Sequence, residues 1–145
     1  MIPVSAIADD KVLDVKADDG QVHTEEHGGE NYDRVNVKAS NNSTANVNVG
    51  EVSNAGSDDP AVAVKTASAT SNVQTGDIVS GDVGVNAKTN GENSTTTILT
   101  GNIDSGNWGV RALTGGENTI TTKLLGSLEF TGFKASSFLK FIKFW

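Results

Sequence analysis

The chain has 145 residues, enough for one domain with its own core, and 18 acidic residues against 11 basic ones give it a net charge of −7. That balance excludes nucleic acid as a partner, because phosphate binding needs a concentrated basic surface. There is no cysteine, which rules out disulfide staples, thiolate nucleophiles and cysteine-based metal sites, so stability must come from packing and backbone pairing. Asn, Thr, Gly, Ser and Val outweigh the helix formers, a mixture that predicts short β-strands and tight turns.

Residues 1–8 read MIPVSAIA and end on Ala6-Ile7-Ala8, the small-x-small pattern that signal peptidase accepts, with Asp9-Asp10 opening the mature chain. This segment is expected to be a signal-peptide remnant, and it predicts a secreted or cell-surface protein. Residues 9–34 are expected to form an acidic N-terminal coil or cap. Asp9 to Asp33 carries half of the acidic residues, and a charged end turn hinders an open sheet edge from pairing with another molecule. Within it, His23-Thr24-Glu25-Glu26-His27 would put both imidazoles on one face of a helix and could hold zinc. Thr24 stands where zinc-protease motifs carry Glu, and Gly28-Gly29 would end any helix, so a solvated acidic loop is expected and no metal is assigned. Asp18-Asp19-Gly20 and, further on, Asp58-Asp59 lack the spacing of known calcium loops and are expected to be solvated surface.

Residues 35–128 repeat. TGDIVSGDVGVNAKTNGENS, from Thr75, aligns without a gap on TGNIDSGNWGVRALTGGENT, from Thr100, at a shift of 25 residues. A Gly-x-apolar step recurs at Gly20, Gly50, Gly76, Gly101 and Gly126, and an apolar-x-apolar pair recurs as Leu13/Val15, Val35/Val37, Val62/Val64, Val85/Ala87 and Val110/Ala112. Apolar residues fall at i and i+2, the period of a strand. Val47, Val73 and Ile98 are predicted to form one inward column, Val52, Ile78 and Ile103 a second, and the Val/Ala pairs a third. The glycines are expected at corners that need positive φ. A unit this small cannot bury a core alone, whereas coils stacked about 4.8 Å apart pair every backbone group and make the inward columns continuous. The prediction is an all-β fold, a parallel β-solenoid of about five coils with a repeat near 25 residues.

Units of the form S-T-x-x-V-x-x-G-x-I-x-S-G-x-x-G-V-x-A-x-T-x-G-E-N, clearest from Thr75 to Asn118, resemble the repeats of large bacterial adhesin-like surface proteins. The resemblance covers roughly residues 35 to 128. It implies a right-handed parallel β-helix and an extracellular structural or adhesive role without catalysis, with host or cell-surface glycans or other surface proteins as partners. It implies no cofactor.

Stacking also aligns outward residues. Lys38, Lys65 and Lys88 form a predicted basic stripe that could bind an acidic polysaccharide, although lysines on an exposed sheet also discourage edge pairing. Glu51 and Asp77 hold equivalent positions and could lie at the separation used by retaining glycosidases, which makes a small glycan hydrolase or lyase on the same scaffold the alternative. In the same column Asn102 and Ser127 are uncharged. Thr44, Thr70 and Thr95, beside Asn46, Asn72 and Thr97, make a regular polar face of the kind seen in ice-binding proteins.

Lys123 falls one repeat beyond Ile98 and is expected at an inward position, where the repeat decays. Residues 129–145 are expected to be a decayed coil and a hydrophobic tail ending Phe138-Leu139-Lys140-Phe141-Ile142-Lys143-Phe144-Trp145. The tail is too short to span a bilayer and no membrane contact is expected, but it could cap the last coil, and the ends could support self-association.

Overall fold

The computed structural model describes residues 10–115, 118–126 and 128–130. The signal-peptide remnant expected at 1–8, Ser127 and the hydrophobic tail beyond residue 130 lie outside them. Every regular element among the described residues is a β-strand, and every strand pairing is parallel. The first coil supplies β1 (Val12–Ala17) and β2 (Val22–His27), and the second supplies β3 (Arg34–Ser40), β4 (Thr44–Val49) and β5 (Val52–Asn54). The third supplies β6 (Val62–Ala67), β7 (Thr70–Gln74) and β8 (Ile78–Ser80), and the fourth β9 (Val83–Asn90), β10 (Thr95–Thr100) and β11 (Ile103–Ser105). The last supplies β12 (Trp108–Thr114), β13 (Thr119–Leu124) and β14 (Leu128–Phe130).

These strands stack into three sheets, β1-β3-β6-β9-β12, β2-β4-β7-β10-β13 and β5-β8-β11-β14, which makes the chain a parallel β-solenoid. Side-chain hydrogen bonds between ranks join residues 22 to 27 positions apart, so the repeat varies around 25. The third sheet begins as an isolated bridge from Tyr32 to Val52 in the first coil.

The predicted columns are present. Val47 pairs with Val73 and Val73 with Ile98, while Val52 pairs with Ile78 and Ile78 with Ile103, and all six are buried. In the first sheet Val35, Val62 and Val85 stack, as do Val37, Val64 and Ala87. Nearer the corner the interior turns polar: Thr66 Oγ1 donates to Ser71 Oγ at 2.7 Å, Thr66 and Thr96 share a 2.7 Å bond, and Thr89 and Thr96 a 2.9 Å bond. Four buried hydroxyls thus satisfy one another, which is the condition for keeping them in a core.

Lys123 is not inward. Thr122 pairs with Ile98, and Lys123 pairs with Leu99 on the outer face, because the loop before β13 is one residue shorter than the 25-residue repeat requires. A one-residue slip exchanges the two faces of a strand, and this register turns Ile120 and Leu124 to the core instead of an ammonium group.

The corners also correct the sequence reading. Gly50, Gly76 and Gly101 stack at the turn between the second and third sheets, Gly76 N donating to Gly50 O at 2.9 Å and Gly101 N to Gly76 O at 3.0 Å, and none has positive φ. Glycine is required there by close approach: a methyl on Gly101 would meet the Asp77 carboxylate and come within 3.1 Å of the Gly76 carbonyl carbon. Positive φ is confined to other sites, chiefly the turn between the first and second sheets, at Asp19, Gly20, Asn41, Asn42, Ser68, Gly91 and Asn93. Gly20 belongs to that turn and not to the glycine column, which is why Val22, two residues on, is 69% exposed.

Ile98→Asp should prevent folding, because a carboxylate with no partner in this column costs several kcal/mol, comparable with the whole stability of a small domain. An unchanged circular-dichroism melting curve would remove Ile98 from the core. Gly101→Ala should cost about 1–3 kcal/mol through overpacking and lower the melting temperature, whereas an unshifted melt would mean that the corners have room to spare.

Candidate functional site

Outward residues of the first sheet place the lysines in register. Lys38 pairs with Lys65 and Lys65 with Lys88, and Lys16, one rank earlier, pairs with Lys38, so the column holds four lysines before Leu113 ends it. All four are exposed, with neighbours about 4.8 Å apart along the axis at the backbone. The strands carrying Lys38, Lys65 and Lys88 contain no acidic residue, and Arg111 closes the adjacent column of Asp14, Asn36, Ala63 and Asn86. A positive stripe therefore runs along a protein of net charge −7. Lys16 follows Leu13 and Val15 in the repeat signature, so its place in the stripe is legible in the sequence once the first coil is seen as a full rank of this sheet and not only as a cap.

The histidine segment is a strand, not a loop. Its alternation turns His23, Glu25 and His27 inward, where the next rank has Ala45, Val47 and Val49, so Glu25 opens the column that continues Val47, Val73 and Ile98. Glu25 bridges both imidazoles, its Oε1 2.7 Å from His23 Nε2 and its Oε2 2.8 Å from His27 Nε2. Glu30 accepts from Lys11 Nζ at 2.9 Å and from the Tyr32 hydroxyl at 3.3 Å, and the Lys11 ammonium lies 4.4 Å from the Tyr32 ring centroid. Together these groups form a polar lid over the end of the apolar core. Among the described residues no group of three or more His, Cys, Asp or Glu is arranged to hold a metal ion.

Of the other acidic candidates, Asp18, Asp59 and Asp77 serve the stack through their carboxylates and Glu51 through its backbone N–H. Asp77 accepts from the Asn102 backbone N–H at 2.8 Å and from its amide at 3.1 Å, and the Glu51 N–H donates to Asn31 Oδ1 at 3.0 Å. Asp18 takes the Ser40 hydroxyl and the Asn41 amide, each at 2.8 Å, and Asp59 pairs with Arg34. Asp77 is thus a corner clamp between ranks, a role the sequence reading missed. An open groove of about 490 Å³ runs past Asp10, Asp33, Arg34 and residues 53–57, but its Asp33 carboxylate already accepts the Lys11 N–H. On the second sheet Thr44, Thr70, Thr95 and Thr119 align beside Asn46, Asn72, Thr97 and Thr121, and the Asn72 amide donates to Asn46 Oδ1 at 2.9 Å.

Several carboxyls are held below their ordinary range: Glu25 by hydrogen bonds from His23 and then His27, Glu30 by Lys11, Asp18 by the Ser40 hydroxyl, and Asp77 by the Asn102 backbone and then its amide. The Glu30 hydrogen bond raises Lys11. A carboxyl lowered in the folded state contributes stability fully above its unfolded pKa, near 4, and loses it as pH falls through the folded value. Lys11 has the opposite sign: its contribution is present below about 10.4 and is lost as pH rises through the raised folded value. The melting temperature should therefore fall as pH drops below about 4, and Glu25→Gln should show a smaller fall over the same range. Equal falls in the two proteins would mean that the histidine bridge adds nothing to stability.

No protein-family model, curated protein or solved structure matches the chain, so the reading of its function rests on this geometry.

Proposed function

We propose that the protein is an extracellular structural or adhesive surface module, without catalytic activity, that presents its lysine column to acidic glycans or to acidic patches on other surface proteins. The observation that carries this reading is the in-register column Lys16, Lys38, Lys65 and Lys88, which has no neutralising carboxylate on the strands of its last three members. Like charges directly opposite one another on neighbouring strands repel, so the column is a cost to the fold that a polyanion lying along the axis would relieve. A flat surface with one charge per rank suits a linear polymer better than a compact ligand. Export, taken from the small-x-small segment at 1–8, belongs to the same proposal.

The alternative, a small carbohydrate-active enzyme, would need Glu51 and Asp77 as acid and nucleophile. Asp77 spends both carboxylate oxygens on Asn102, which supports a structural role for it.

The wild-type protein should be retained on an immobilised uronate or sulfated polysaccharide at low salt and released as ionic strength rises, because contacts to exposed charges are screened within about 10 Å at 0.1 M. Lys38→Glu with Lys65→Glu should abolish retention and leave the circular-dichroism spectrum unchanged. Retention equal to that of the wild type would defeat the proposal. Release of reducing ends from the same polymers, lost in a Glu51→Gln, Asp77→Asn variant, would favour the enzyme instead.

A further inference from the structure

The two ends of the stack are complementary, and we infer that the chain associates head to tail with a second copy of itself, the last rank of one molecule pairing with the first rank of the next. Strands β1 and β2 are the outermost strands of the first and second sheets at one end, and β12 and β13 at the other. Among the described residues, each outermost strand leaves one row of N–H and C=O groups unpaired along its sheet. Because every pairing inside is parallel, a copy displaced along the axis offers each free edge the kind of partner its strand already has on the other side.

The registers agree in both sheets at once. Leu13 and Val110 stand on one inward column, His23 and Ile120 on another, and the interval from Leu13 to His23 equals that from Val110 to Ile120. The third and fourth ranks have unequal intervals, from Val62 to Ser71 and from Val85 to Thr96, and still stack in register because the loop between the sheets absorbs the difference, so the equal spans of the end ranks are compatible with stacking in both sheets.

Charge points the same way. The outward column that begins with Glu26 runs through Asn48, Gln74 and Leu99 and ends with Lys123, and the column that begins with Asp14 runs through Asn36, Ala63 and Asn86 and ends with Arg111. Head-to-tail stacking sets Lys123 beside Glu26 and Arg111 beside Asp14, opposite charges at directly facing positions. The apolar surface is distributed to match. The exposed large apolar residues among those described are Val22, Leu113 and Leu125, and the half-buried ones on the core are Leu13, Val110, Ile120 and Leu124, all in the first and last coils.

Such a contact joins two different surfaces and leaves one of each free, so it propagates along the axis instead of closing. Sedimentation velocity over a concentration series of the full chain should show mass rising continuously past the dimer. Glu26→Lys alone and Lys123→Glu alone should each weaken association about tenfold, since each turns an attraction into a repulsion, and the double variant should restore it. Asp14→Arg and Arg111→Asp should behave in the same way, which guards against one position perturbing the fold, and melting curves serve as the control. A monomer at every concentration, a plateau at the dimer, or a double variant no better than either single one would each overturn the inference.

Discussion

The amide of Val52 donates to the carbonyl of Asp77 and the amide of Ile78 to the carbonyl of Asn102, each 2.8 to 2.9 Å away, and repetition of this step along the axis decides what every side chain meets. Parallel, in-register pairing puts each residue beside its counterpart one repeat away, so a local choice becomes a column. Valine becomes a core that no single coil could supply, glycine a corner tight enough for backbone to lie on backbone, and lysine a stripe. The pairing also makes columns interdependent: a side chain in the wrong column strains two neighbouring ranks, and a loop of changed length moves a whole strand from one face to the other.

Much of this was legible in the sequence because the inward positions carry a chemical signal of their own. Val47, Val73 and Ile98 align by eye, and so do Val52, Ile78 and Ile103, since alternating β-branched residues at a fixed spacing suit stacked strands and little else. The lysines follow from the same alignment. What failed has physical causes. Gly20 resembles the corner glycines in its Gly-x-apolar step, but glycine serves two purposes here, positive φ at one corner and close approach at another, and a three-residue pattern does not separate them. Lys123 lies off its expected column because a constant repeat does not hold where one loop is a residue short. His23, Glu25 and His27 resemble a loop in sequence because inward positions are expected to be apolar, an expectation that holds inside the stack and lapses in the end rank, where one side is open to water.

The same constraint governs where chemistry can occur. In this chain several acids are engaged by the fold: Asp77 clamps Asn102, Asp18 holds Ser40 and Asn41, and Glu25 ties two imidazoles across the end of the core. Asparagine continues this pattern on the outer faces, where Asn36, Asn46, Asn48 and Asn107 each donate to a residue one rank below. Lys38, Lys65 and Lys88 take no part in these ladders, whereas Lys16 lies near Asp18, and this contrast is what favours the first three as a binding surface under the proposed reading.

Central to the whole account is that residues one repeat apart are hydrogen-bonded neighbours. The most direct measurement is the NMR coupling transmitted across backbone hydrogen bonds, which links an amide nitrogen to the carbonyl carbon of its acceptor. Couplings are expected from the Ile78 amide to the Asn102 carbonyl and from the Val52 amide to the Asp77 carbonyl. Couplings from these amides to carbonyls three or four residues away, or to antiparallel partners, would contradict it.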